Sequence, residues 1–296
     1  MTIFLIISAI LFFVMQTLAL KKIKVNTLRE NILTTGIFTG MIAIAFGLWG
    51  LYQPMQISKE TIYFGTIFGI LFIATIATYY YAMQTGPLSY TTFFYSTSML
   101  IPSLAGILVW KEELSGTIIL GMVLFLAAFY FISVHGSEKG TEESNKNKKW
   151  MILCFSSWLL NGSLSVVVKT QQTILKGTES TEMMMASFAA ACIVSLIAYL
   201  FLLFINKEQK AMKQEIRNMT SSTIPLLAVA LGSGAGNVIV TYLSSRVPSA
   251  YLFPFTLGGM MVGVTLYSVI FLKEKINKFG IIGILLGIIA MVAINI

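Results

Sequence analysis

Uncharged, apolar runs of about 18 to 25 residues alternate along this chain with short segments that hold nearly all of its Lys, Arg and Glu. Ten such runs lie near 2–20, 31–51, 61–82, 88–109, 115–134, 150–168, 183–205, 221–245, 249–272 and 279–296. As a helix rising 1.5 Å per residue, each is long enough to cross a hydrocarbon layer roughly 30 Å thick, and a helix satisfies its own backbone there. The first run follows Met1 directly, with no basic leader and no small-residue cleavage site, which predicts a retained helix rather than a removed signal. The longest hydrophilic stretch, residues 135–149 (HGSEKGTEESNKNKK), reads as a flexible linker and parts five runs from five. Five is odd, so the second half runs opposite to the first across the membrane. The expected fold class is an all-α integral membrane protein of ten transmembrane helices. They form two inverted five-helix repeats, residues 1–135 and 150–296, around a central cavity and joined by the linker 136–149.

The loop charges follow the same inversion. Loop 1–2 carries Lys21, Lys22, Lys24 and Arg29 against Lys169 and Lys176 in loop 6–7, whereas loop 2–3 carries Lys59 against Lys207, Lys210, Lys213 and Arg217 in loop 7–8. Summed over the chain, one side collects 15 Lys and Arg and the other 5, which by the positive-inside rule places both termini outside. Composition narrows the class: 56% apolar residues, 11% charged residues and a mean hydropathy of +0.83 exclude a soluble domain. The net charge of +8 sits in loops beside the spans, where it sets orientation and implies no nucleic-acid partner. Cys154 and Cys192 fall inside apolar runs as ordinary packing, His135 is the single histidine, and all twelve acids are Glu. With no carboxylate pair, no nucleophile–base set and no metal-ligand cluster in the runs, the residues call for no cofactor and no metal and argue against an enzyme.

A second pattern is a cassette that occurs twice, about 160 residues apart. Pro87-Leu88-Ser89-Tyr90 opens a run that ends at Lys111-Glu112-Glu113-Leu114, and Pro248-Ser249-Ala250-Tyr251 opens one that ends at Lys273-Glu274-Lys275-Ile276. Ser115 and Asn277 stand where the following helices need N-caps. In the second half, Val247 to Tyr251, Gly258-Gly259, Phe271 to Asn277, Gly283 and Gly287 resemble the last two helices of small multidrug resistance proteins and of EamA-type proteins, both of the drug/metabolite transporter superfamily. The resemblance covers about 225–296 and, more weakly, 75–135. It implies a ten-helix basket in which helices 1, 3, 4 and 9, 8, 6 line the cavity, the last helix of each repeat packs at the periphery, and access alternates between the two sides. One feature of the small multidrug resistance pattern does not transfer. Its membrane-embedded glutamate, eight residues before the lysine that ends the helix, falls here on Asn161 before Lys169 and on Phe13 before Lys21.

Polar and aromatic positions inside the runs mark candidate substrate contacts. Trp158, Asn161, Ser165 and Lys169 recur at spacings of three and four, on one helical face. Asn161 and Ser165 also suit interhelical hydrogen bonding, and Lys169 suits snorkelling to the interface. Tyr90 and Phe94 in the fourth run, and Tyr251 and Phe253 in the ninth, offer aromatic faces to a ring-bearing molecule, although Tyr90 and Tyr251 equally suit interfacial anchors. Tyr79, Tyr80 and Tyr81 read as an interfacial belt, of which only one can face a cavity. Asn237 ends Gly232-Ser233-Gly234-Ala235-Gly236, which lies in an apolar run and reads as close helix contact rather than a phosphate loop, as do Gly259/Gly263 and Gly283/Gly287. Pro102, Pro225 and Pro254 are potential kinks.

The function these features predict is secondary transport of a small organic metabolite or drug-like compound, directed outward, by a multi-pass protein of a bacterial plasma membrane. Its partners would be the small-molecule substrate and the lipid bilayer. A coupling ion is compatible with this reading, and a monomer is sufficient. Flipping of a lipid-linked sugar and a non-transporting scaffold or sensor are the alternatives that the residues leave open.

Overall fold

A computed structural model describes residues 2–23, 25, 27–112, 115–135, 141–206, 215–217, 219, 221–274 and 277–294. Its elements are helices: α1 (Thr2–Lys22), α2 (Leu28–Tyr52), α3 (Lys59–Thr85), α4 (Leu88–Thr97), α5 (Leu100–Leu108), α6 (Gly116–His135), α7 (Thr141–Ile174), α8 (Ser180–Asn206), α9 (Thr223–Ser244), α10 (Ser249–Ile270) and α11 (Lys278–Ile294). Eight of the described segments, with α4 and α5 counted together as Leu88–Leu108, are long and apolar enough to cross a membrane, and shorter apolar stretches lie in α6 and α11.

The helices begin and end where local chemistry allows. The Thr27 and Ser58 hydroxyls accept from the Glu30 and Thr61 amides at the starts of α2 and α3. Asn277 does the same for the Gly280 amide at 2.6 Å, as its position before α11 predicts. Within the spans, Thr34, Thr35, Thr39, Thr75 and Thr78 donate their hydroxyls to the carbonyl four residues back, which satisfies a polar side chain without water. α7 starts well before its apolar run. Residues 141–149, read from sequence as flexible linker, form its first turns, because after Gly140 the stretch holds no Gly or Pro. Residues 136–140 of that linker lie outside the described residues.

α4 and α5 are one span broken at Ser98–Met99. Pro102 has no amide with which to reach the Ser98 carbonyl, and the Ile101 amide takes it at 3.0 Å instead, a tighter turn that interrupts the α-helix. Pro254 sits inside an unbroken α10 and Pro225 in the first turn of α9, where a proline costs little.

Packing pairs α1 with α9 and α10, α7 with α3, α4 and α5, α2 with α8, and α6 with α11. Small residues permit the closest of these approaches. A Cβ at Gly232 of α9 would lie 2.5 Å from the Phe12 carbonyl oxygen and 2.9 Å from the Gln16 amide of α1, and one at Gly69 of α3 would lie 2.6 Å from the Ser187 carbonyl oxygen of α8. Phe38, Phe68, Phe72 and Phe188 interlock across α2, α3 and α8. Outward faces carry exposed Leu11, Leu48, Ile197, Phe204, Ile224 and Leu285, the pattern of a lipid-facing surface. A buried ion pair, Arg29 to Glu215 at 2.6 Å, is completed by the Tyr199 hydroxyl at 2.8 Å and ties the segment after α8 to the start of α2.

Candidate substrate cavity

Six helices surround one cavity: α1 contributes Phe13, Gln16 and Thr17; α3, Phe68, Phe72 and Tyr79; α4, Tyr95; α7, Asn161, Leu164, Ser165 and Val168; α9, Asn237, Val240 and Thr241; α10, Phe253, Thr256, Leu257 and Met260. These correspond to the helices that the sequence resemblance assigns to a cavity wall. Its volume is about 60 Å³, well short of the roughly 300–1,000 Å³ of pockets that hold drug-sized ligands.

The wall is uncharged and mixed: among the described residues, phenylalanines and aliphatic side chains alternate with three amides (Gln16, Asn161, Asn237), the hydroxyls of Thr17, Ser165, Thr241 and Thr256, and two tyrosines. Tyr79 and Tyr95 stack with ring centroids 4.1 Å apart and interplanar angle 29°. The Asn161 amide donates to Ser98 Oγ at 2.7 Å, which ties α7 to the break between α4 and α5. Asn237 turns its amide to the Ser233 carbonyl at 2.9 Å. Thr241 Oγ1 is buried with no hydrogen-bond partner, which costs about 1–3 kcal/mol unless a bound group satisfies it.

Of the positions singled out in the sequence, Asn161, Ser165, Asn237 and Phe253 meet on this wall. The other four stand elsewhere. Trp158 stacks on exposed Phe155, Tyr90 reaches Asn277 Oδ1 at 3.4 Å, Phe94 packs edge-on against Trp150, and Tyr251 lies against Phe255. Tyr79 and Tyr80 do not form an interfacial belt: both are buried, Tyr79 on the cavity wall and Tyr80 donating to the Ile23 carbonyl at 2.6 Å. Gln16 and Thr17 escaped the sequence reading although they are the adjacent polar pair of a mainly apolar run. Phe13 and Asn161, the two positions eight residues before Lys21 and Lys169, both face the cavity.

Lys169 does not snorkel. It is 7% exposed, pairs with Glu112 Oε1 at 3.0 Å, donates to the Ser244 carbonyl at 2.7 Å, and lies 5.9 Å from the Trp110 ring centroid. Glu112 in turn accepts from the Ser249 amide at 2.8 Å and hydroxyl at 3.1 Å, at the start of α10. The other cassette repeats the arrangement. Glu274 accepts from the Leu88 amide at 2.8 Å and the Ser89 hydroxyl at 2.7 Å, at the start of α4, while Lys21 donates to the Met83 carbonyl. Lys111 and Lys273, just before the two glutamates, share a left-handed backbone with φ of 54° and 52°. The Glu112 and Glu274 amides each fold back to the carbonyl six residues earlier, Gly106 at 3.0 Å and Ser268 at 3.2 Å.

One solved structure, described as "Crystal structure of protein", matches with a TM-score of 0.63 over 98% of this chain and 98% of its own length at 14% identity, a likeness of fold. No curated protein sequence matches the chain. Residues 148–296, just over half of the chain, match the EamA-like transporter family, which joins the cavity and the cassettes in one conclusion: this multi-pass membrane protein belongs to the EamA-like transporter family.

Proposed function

We propose that the protein is a secondary carrier for a small organic molecule without net charge, and that it binds this cargo in the cavity between α1, α3, α4, α7, α9 and α10. The uncharged wall, apolar surface studded with amides and hydroxyls, is the observation that carries this reading. A net charge brought into it would lose its hydration with no charged side chain on the described wall to offset the loss, whereas amides, hydroxyls, stacked tyrosines and apolar surface suit a neutral polar or ring-bearing molecule. The unpartnered Thr241 hydroxyl and the helix break held by Asn161 give such a molecule places to bond.

The carrier works by alternating access between two inverted five-helix repeats, 1–135 and 150–296, making ten spans. Reciprocal packing supports this: α1 against α9 in one direction is matched by α7 against α3 in the other. The same exchange relates Lys21 and Met83 to Lys169 and Ser244, the carbonyls standing 161 residues apart. We read the small cavity, about 60 Å³, as a state from which either end opens to admit a cargo that needs more room. A thermal-shift screen of neutral metabolites on the purified protein tests the binding claim. A ligand at 100 times its Kd should add about 2.7 kcal/mol of stability to the wild type and much less to Asn161→Ala, with that variant still folded. A ligand that stabilises both equally would move the cargo away from this cavity.

A further inference from the structure

We propose that the two Lys-Glu turns are locks, one at each end of the cavity, and that Glu112 and Glu274 are the positioning residues whose release opens each end in turn. This rests on the carrier reading above. α4 and α10 both begin at a proline that provides no side-chain cap, so their first amides have no local acceptor. Each is capped instead by a carboxylate from the far end of the other helix pair: Glu274, after α10, on Leu88 and Ser89, and Glu112, after α5, on Ser249. Negative charge at a helix N-terminus is attracted by both the free amides and the helix dipole.

The two contacts sit at opposite ends of the antiparallel pair made by α4–α5 and α10. α10 has 22 residues and therefore separates the locks by about 33 Å at 1.5 Å per residue, one membrane thickness. The cavity lies between them: Ser165 and Val168 are within about a turn of Lys169, and Tyr95 is two turns in from Leu88. Opening either end requires the helix start on that side to leave its glutamate while the lock at the other end holds the halves together. The lysines stay behind on carbonyls of their own half, Lys21 on Met83 and Lys169 on Ser244. Gly106 belongs to the device, since a side chain there would strike the Glu112 carboxylate and Ser249.

The test needs no cargo. In full-length protein carrying Cys154→Ser and Cys192→Ser, a Ser165→Cys reporter on the cavity wall is labelled by a membrane-impermeant maleimide, in vesicles of either orientation. Wild type should label slowly from both faces. Glu112→Gln should raise the rate about five-fold from the Lys169 face alone, and Glu274→Gln about five-fold from the Lys21 face alone, the factor expected when one charge–helix attraction is lost. Ser249→Ala and Ser89→Ala, which remove only the hydroxyl arm of each lock, should shift the rates in the same senses by smaller factors, and they decide the matter if a glutamate variant fails to fold. Changes on the same face for both glutamates, or alternating wild-type labelling that none of the four variants alters, would overturn the locks and leave the carrier intact. Rapid labelling from both faces at once in wild type, or none from either face in any variant, would overturn the carrier reading itself.

Discussion

Thr241 shows how a single atom can separate binding from folding. Its buried hydroxyl on the cavity wall has no hydrogen-bond partner, so Thr241→Val should leave stability unchanged or raise it by about 1 kcal/mol, because an isosteric methyl removes the unmet desolvation cost. The same change should weaken cargo binding. A melting curve beside a binding isotherm checks both, and a loss of stability would mean that the hydroxyl is structural. Residue by residue, the sequence disclosed what lies on one helix. Asn161 and Ser165 were legible from their spacing, and Asn237 from its polarity in an apolar run. Lys169 was misread because its partner, Glu112, lies 57 positions earlier in the sequence. Tyr79 was misread because three consecutive tyrosines at a helix end look interfacial until packing shows which of them turn inward.

At the scale of elements, stability depends on close approach and on caps contributed by distant segments. Gly232→Val should destabilise by about 1–3 kcal/mol, since a side chain there meets backbone atoms of α1 that cannot swing aside. The fall in detergent-solubilised melting temperature should exceed that of Gly47→Val, where nothing lies within 4 Å. Glu179, between α7 and α8, offers a pH test. Burial alone would raise its pKa, but hydrogen bonds from the Thr61 hydroxyl and from the Ser58 amide and hydroxyl outweigh this and hold the carboxyl below its ordinary value. A folded-state pKa below the unfolded one gives stability that is present above the unfolded value, about 4.3, and is lost as pH falls through the folded one. Between pH 6 and pH 3 the wild type should therefore lose more thermal stability than Glu179→Gln, and equal losses would remove this cap from the account. The eight described segments long and apolar enough to cross a membrane were legible in the sequence because charge-free length suffices to specify them. The break in the fourth span was legible only as Pro102, since the partner that holds it open, Asn161, belongs to another helix.

For the whole molecule, the duplicated cassettes matter because each half completes the other. A proline that starts a helix in one half needs the glutamate that ends a helix in the other, and the uncharged cavity lies between the two contacts. Counterflow in proteoliposomes is the measurement closest to the central claim. Vesicles preloaded with a neutral compound identified by the binding screen should accumulate its labelled form transiently against the gradient, saturably, and Asn161→Ala should abolish the overshoot while remaining folded. Flux that rises linearly with concentration and never overshoots, in wild type and variant alike, would contradict a carrier that binds its cargo in this cavity.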